Sequence, residues 1–100
     1  MKSTQSQIYY KCGAKLKRGR TIQYIEFTDG YATRQVEEYQ DKNQWFSCGQ
    51  DSNLRDKIRM CDRPISSIKV KDENIIDSIE FEIAWESANN WKIANSLVSA

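Results

Sequence analysis

The stretch "TIQYIEFTDGYATRQVEEY", residues 21–39, decides the fold. It contains two runs rich in β-branched and aromatic residues, 21–27 and 31–39, separated by Asp29 and Gly30. An Asp-Gly pair between two such runs is a strong hairpin signal, because glycine adopts positive φ without steric cost. The stretch therefore predicts two antiparallel strands joined by a tight turn.

Shorter segments on both sides extend the hairpin. "QIYYKC" at 7–12 alternates apolar and polar positions, which is typical of a strand. "WFSC" at 45–48 follows the turn-rich "QDKNQ" and predicts another strand. The segment between Gly13 and Gly19 is expected to be an exposed loop. Together these segments predict a three- to four-stranded antiparallel meander over residues 7–48.

The C-terminal part fits two patterns. In "SIEFEIAWESA", residues 78–88, apolar residues alternate as in a strand, yet Phe81, Ala84 and Trp85 also share one helical face. Ser78 is a plausible N-cap, and the following acids suit the positive end of a helix dipole. "NNWKIANSLV" continues the helical spacing, which favours a helix. The expected fold is therefore α+β, a meander packed against a C-terminal helix.

Two segments between the meander and the helix are less regular. Residues 51–61 fit either a short helix or a charged loop, and "ISSIKV" at 65–70 is expected to form an edge element. The side chains expected in the core are Ile22, Ile25, Phe27, Val36, Phe46, Ile68, Phe81 and Trp85.

The length of 100 residues predicts a single domain, residues 1–100. Its net charge is +1, but residues 1–35 hold seven lysines and arginines against two acids, whereas residues 72–100 hold six acids and one lysine. Because both ends also carry apolar and aromatic residues, we expect them to lie near each other and partly to neutralise.

Cysteine usage and hydropathy bear on the compartment. The three cysteines are odd in number and far apart, which does not indicate a disulfide framework. The sequence shows no signal-peptide core and no apolar stretch of about 20 residues that would span a bilayer. A cytoplasmic protein with reduced thiols and no membrane association is expected.

The residues needed for common catalytic sites are missing. The chain contains no histidine, which removes the usual activation of serine or cysteine nucleophiles and the commonest metal ligand. The cysteines form no CxxC pair, and the isolated glycines carry no phosphate-binding fingerprint. Glu37 and Glu38, as neighbours on a strand, are expected to point to opposite faces. We therefore expect no catalytic residue, no metal, no cofactor and no enzyme activity.

A basic segment offers one alternative function. "KLKRGR" at 15–20 lies close to two tyrosines, and aromatic residues among cations can stack bases. The residues that would bind nucleic acid are Lys11, Lys15, Lys17, Arg18 and Arg20. Against this, the sequence pI of about 7.6 is low for a dedicated nucleic-acid binder.

Three segments resemble a known family. "YATRQVEEYQDKNQW", "CDRPISS" and "DSIEFEIAWESA", in this order, resemble small uncharacterised bacterial domains with a "TRQVE" strand, a "DxP" segment and a terminal "S-x-E-F-E-x-x-W" helix. The resemblance covers roughly residues 20–88 and implies a helix at 78–88. Some members of the family are encoded beside polymorphic toxins, as immunity proteins are, and no catalytic residues come with the resemblance.

These observations predict a domain that binds a protein partner, most concretely an immunity protein that blocks a cognate bacterial toxin. An acidic surface complements the basic cleft of a toxin that acts on nucleic acid. The acids and aromatic anchors expected at the interface are Glu37, Glu38, Tyr39, Asp41, Trp45, Asp72, Glu73, Glu80 and Glu86.

Overall fold

A computed structural model describes residues 6–16, 19–49, 61 and 63–98. The elements are five strands and one long helix: β1 (Gln7–Leu16), β2 (Gly19–Thr28), β3 (Tyr31–Tyr39), β4 (Gln44–Gly49), β5 (Ile75–Ile76) and α1 (Ser78–Val98). Two short 3-10 turns, Ile65–Ser67 and Asp72–Asn74, precede β5. In the described part of the chain, no helix is long and apolar enough to cross a membrane.

The strands form one antiparallel sheet in the order β4-β3-β2-β1-β5. The first four strands are a meander, which confirms the predicted α+β architecture with α1 packed on the sheet. Thr28 pairs with Tyr31, so the β2–β3 turn has two central residues, and both Asp29 (φ 51°) and Gly30 (φ 93°) have positive φ. The predicted Asp-Gly hairpin is confirmed.

Strand alternation gives the sheet two packed faces. The face that α1 covers, called here the helix face, has a core of Tyr24, Val36, Phe81, Ala84 and Ala88. The opposite face, called here the second face, has a core of Tyr10, Ile25, Phe27 and Ala32 and is packed against Cys61, Ile65, Ile68 and Val70. Both faces are therefore covered, and the polar residues on each must find partners inside the protein.

The N-cap of helix α1 is Asp77, one residue before the Ser78 that was expected to cap it. The Asp77 carboxylate, not Ser78, accepts the backbone N–H of Glu80 at 2.8 Å. An acid that caps the third helical N–H satisfies a free donor and also interacts favourably with the helix dipole. The helix over 78–88 is confirmed, with Phe81 fully buried, and it continues to Val98.

Two segments differ from expectation. Strand β1 continues to Leu16 and β2 starts at Gly19, so Lys15 and Arg20 are paired strand residues rather than parts of a long loop. "ISSIKV" forms a 3-10 turn and an extended segment instead of an edge strand, and Ile75–Ile76 take the edge position beside β1. Residues 51–60 of the predicted short helix or loop lie outside the described residues.

The core holds more tyrosine than predicted. Ile25, Phe27, Val36 and Phe81 are buried as expected, whereas the other four predicted core residues, Ile22, Phe46, Ile68 and Trp85, are only partly buried. Three tyrosines are buried in the core instead: Tyr10, Tyr24 and Tyr39. Their burial is tolerated because no buried side-chain oxygen of the described residues lacks a hydrogen-bond partner.

Candidate protein-binding site

Arg34 joins two of the three segments on which the predicted resemblance rests. From the "TRQVE" strand, its guanidinium donates to buried Glu26 at 2.7 and 3.0 Å and to Glu82 of α1 at 3.1 Å. It also lies 4.9 Å from the ring centres of Phe81 and Trp85, both from the "EFExxW" segment. The two motifs thus form one structural contact that holds α1 on the sheet.

The contact with Arg34 also changes the pKa of Glu26. The hydrogen bonds from Arg34 lower the pKa of Glu26 despite its burial, and a bond from the Thr33 hydroxyl at 2.7 Å acts in the same direction. Because Glu26, Arg34 and Glu82 satisfy one another, they form an internal ion network. The network links β2 and β3 to α1.

Glu37, predicted to bind a partner, lies in the interior. It is 4% exposed on the second face, where its carboxylate accepts bonds from Gln23 and Gln35 at 3.1 Å each and from the Tyr39 hydroxyl at 2.5 Å. Tyr39 is equally buried. Neither side chain reaches solvent in this structure, so assigning Glu37 and Tyr39 to an exposed interface was wrong.

The other predicted residues of the meander also have structural partners. Glu38 points to the helix face, as expected from alternation, and accepts the Tyr24 hydroxyl at 3.3 Å. Burial, together with the Glu38 charge, raises the pKa of Tyr24 to about 12. Trp45 packs against the helix-face core. Asp41 is exposed and pairs with Arg20 at 2.7 Å, which lowers the pKa of the Asp41 carboxyl.

The predicted acids of the C-terminal half do lie at the surface. Asp72, Glu73, Glu80 and Glu86 are all exposed, in the turn before β5 and along α1. Of these, Glu80 forms an ion pair with Lys11 at 2.9 Å across 69 residues of sequence. This pair links the basic N-terminal part to the acidic C-terminal part, as the charge distribution predicts.

The structure adds an apolar feature that the sequence reading missed. Ile79, Ile83 and Ile93 are 69%, 63% and 60% exposed. Spacings of four and ten residues place them within about 40° of one line along a helix with 3.6 residues per turn. Phe81, Ala84 and Ala88 lie on the opposite, buried side. The spacing is present in the sequence, but the helical pattern was used only to predict the buried face with Phe81 and Trp85.

This line is called here the α1 stripe: Ile79, Ile83, Glu86, Asn90 and Ile93. Glu86 and Asn90 fall between the isoleucines by the same helical spacing, and Glu80 and Glu82 flank them. The α1 stripe therefore combines an exposed apolar line with acidic side chains.

Some of the basic residues proposed for nucleic-acid binding are paired with acids, and others are not described. Lys11 and Arg20 are held by Glu80 and Asp41, and Lys15 is exposed. Lys17 and Arg18 lie outside the described residues. Among the described cations of this segment, two of three already neutralise acids, which leaves less positive charge for phosphate.

The cysteines and acids of the described ranges do not have the arrangement that a metal site needs. Within them, no group of three histidine, cysteine or acidic side chains is arranged to hold a metal ion. Cys12, Cys48 and Cys61 are free thiols.

Comparisons with protein-family models, curated proteins and solved structures found no match to this chain. The resemblance to toxin-associated domains therefore stays a prediction from the residues that carry it.

Proposed function

We propose that this protein is a cytoplasmic, non-enzymatic binding domain that docks on a protein partner through the α1 stripe. Its most specific form is an immunity protein that neutralises a cognate bacterial toxin. The observation that carries the proposal is the exposure of Ile79, Ile83 and Ile93 along one line of α1.

The stripe has the composition of an interface. Single exposed apolar residues are common on protein surfaces, but contiguous apolar patches rimmed by polar groups mark interaction sites. Here Ile79 and Ile83 are one helical turn apart, with Glu80, Glu82 and Glu86 around them. A partner that covered these isoleucines would gain apolar burial at the centre and charge contacts at the rim.

The charge of the region favours a basic partner. Residues 72–98 contain six acids and one lysine. Lys11 and Arg34 neutralise part of Glu80 and Glu82, while Glu86 has no ion-pair partner among the described residues. A second copy of this chain is a poor occupant, because two-fold pairing about the middle of the stripe opposes Glu86 with Glu86. A toxin with a basic cleft fits better.

The test uses the product of any toxin-like gene found beside the gene of this chain and compares two exposed apolar residues. Ile83→Ser removes one of the two adjacent exposed isoleucines of the stripe. Tyr31→Ser is the matched control, since Tyr31 is 57% exposed at the start of β3. We expect Ile83→Ser to weaken the Kd about tenfold or more and Tyr31→Ser to leave it within about twofold. Both variants are expected to melt near the wild-type temperature, because exposed substitutions change stability little.

Other results would contradict the proposal. If both variants bind the partner as well as the wild type, the stripe is not the interface. If no toxin-like gene product binds, while the chain is retained on heparin and released steeply by salt, the nucleic-acid alternative replaces it. Loss of that retention in Lys15→Glu would place the nucleic acid on the basic segment.

A further inference from the structure

The outer edge of β1 is only partly paired. Tyr9 and Tyr10 pair with Ile76 and Ile75 of β5, which is two residues long. From Lys11 to Leu16, no described strand lies on the side of β1 away from β2. An exposed edge of this kind is a template for another strand.

The backbone groups on this edge can be assigned by alternation. The Lys11 carbonyl accepts the side-chain amide of Asn74 at 2.9 Å, so the backbone of Lys11 faces outward. In an antiparallel ladder every second residue faces the same side. Gly13 and Lys15 therefore also direct their N–H and C=O groups outward, and no described residue is bonded to them there.

An open groove of about 640 Å³ runs beside the edge on the helix face. Its walls combine apolar and acidic side chains, including Ile22, Ile76, Glu73 and Glu80. Gly13 contributes no side chain, and a Cβ placed there would meet nothing within 4 Å. A side chain from a strand added opposite Gly13 would therefore enter free space above Ile22, which pairs with Gly13 across the ladder.

We propose that the edge from Cys12 to Leu16 and this groove bind an extended peptide segment, which adds a sixth strand to the sheet. The residue opposite Gly13 is a lysine or arginine. Its aliphatic part covers Ile22 and Ile76, and its cation reaches Glu73, which has no ion-pair partner among the described residues. The peptide runs antiparallel to β1, so the peptide residue two positions before this lysine or arginine lies opposite exposed Lys15. That residue is an acid, because opposite charges across strands are favourable.

Charge argues against a second copy as the added strand. A two-fold pair centred on Gly13 would set Lys15 directly against Lys11 of the second copy, on the same face of the extended sheet. Like charges directly opposite each other destabilise a strand pair. A separate peptide with alternating acid and base has no such conflict.

The peptide site is independent of the proposed function. It uses the β1 edge, whereas the α1 stripe depends on Ile83 and Ile93, which do not line the groove. Failure of toxin binding would leave the edge proposal standing, because its test uses a synthetic peptide.

The probe is acetyl-Thr-Glu-Val-Lys-Val-amide, titrated into the full ¹⁵N-labelled chain. We expect saturable shifts of the Gly13 and Lys15 amides. N-methylation of the probe's lysine backbone removes the N–H that donates to the Gly13 carbonyl, and the methyl group hinders close pairing, so the Kd should weaken about tenfold. Replacing that lysine with glutamate should weaken it similarly. Ile93→Ser on α1 is the control variant and should bind the probe unchanged.

Two protein variants test the edge itself. Gly13→Pro removes an outward N–H that β2 does not use, a position where an edge strand tolerates proline. Gly13→Leu fills the groove beside the edge. Each is expected to lose at least about tenfold in Kd. If Gly13→Pro does not fold, the Kd values of Gly13→Leu and of the N-methylated probe test whether the peptide binds at the β1 edge.

Saturable binding that N-methylation and Gly13→Leu leave unchanged would overturn the proposal, as would the absence of shifts at Gly13 and Lys15. A concentration-dependent dimer that Gly13→Leu or Gly13→Pro dissolves would assign the edge to a second copy and also overturn it.

Discussion

The Arg34 guanidinium lies 4.9 Å from the centre of the Trp85 ring, so strand β3 and helix α1 meet through a cation–π contact. The same guanidinium pairs with Glu26 of β2 and Glu82 of α1. A single cation therefore connects two strands and the helix. Arg34 of the "TRQVE" segment therefore contacts both an acid and an aromatic ring of the "EFExxW" segment.

Removing this cation should loosen the helix from the sheet. Arg34→Ala leaves Glu26, whose side chain is 6% exposed, without its cation, and breaking a buried ion pair costs about 3–5 kcal/mol. Glu82→Gln is the control, because the Glu82 side chain is half exposed and such pairs contribute at most about 1 kcal/mol. Urea denaturation followed by tryptophan fluorescence measures both. Equal losses for the two variants would contradict this assignment.

Acid should weaken the same contact. The pKa of Glu26 is lowered by its bonds to Arg34, so its ionised form stabilises the fold above the ordinary carboxyl pKa of 4.5. That stabilisation is lost as the pH falls below 4.5 and through the lower folded-state pKa. The unfolding free energy of the wild type should therefore exceed that of Glu26→Gln at pH 7, and the difference should shrink in acid. A difference independent of pH from 7 to 3 would refute the role of the carboxylate.

Much of the fold followed from local pattern. The alternation in 21–39 with Asp29 and Gly30 fixed a hairpin, and the spacing of Phe81, Ala84 and Ala88 fixed the buried face of α1. The edge position did not follow, because it depends on a distant contact. Ile75 and Ile76 take it beside Tyr10 and Tyr9, more than 60 residues away. No local pattern in "ISSIKV" excludes that position.

The candidate site was less accessible to sequence reasoning. Alternation correctly separated Glu37 from Glu38, but it could not say which face carries a second layer. On the second face Cys61 donates its backbone N–H to Gln35, and Glu37 beside it is buried and bonded by neutral donors. The exposure of Ile79 and Ile83 was hidden for a related reason: only the position of the sheet decides which side of α1 is free.

The two neighbouring glutamates should respond differently to charge reversal. Glu37→Lys places a cation among groups that donate to a carboxylate, so we expect a loss above about 3 kcal/mol or failure to fold. Glu38→Lys removes one bond from the Tyr24 hydroxyl in a partly exposed position and should cost about 1 kcal/mol. Thermal melts of both variants test this. Similar melting temperatures would show that Glu37 is not buried as described.

The Asp29–Gly30 turn should tolerate no β-branched residue. Gly30 has φ of 93°, and an L-residue with a branched Cβ is strained there, at a cost of about 1–2 kcal/mol. Gly13→Ala is the control, since Gly13 is not in the left-handed region and a Cβ there has open space. Equilibrium denaturation should rank Gly30→Val clearly below Gly13→Ala. If Gly30→Val is as stable as the wild type, the turn does not require its positive φ.

The last prediction separates the two parts of the α1 stripe by kinetics. Glu86 is an exposed acid among the isoleucines, and charges at the rim of an interface act mainly on the encounter of the partners. Glu86→Lys should therefore slow association with a basic toxin and flatten its dependence on salt, while dissociation changes little. Ile83→Ser should do the reverse, because lost apolar burial shortens the lifetime of the complex. Lys69→Glu, an exposed charge reversal outside the stripe, is the control and should leave both rates near the wild-type values. Stopped-flow measurements between 50 and 300 mM salt, roughly Debye lengths of 14 to 6 Å, would resolve the two effects. If Lys69→Glu speeds association as much as Glu86→Lys slows it, long-range net charge rather than the stripe guides the partner.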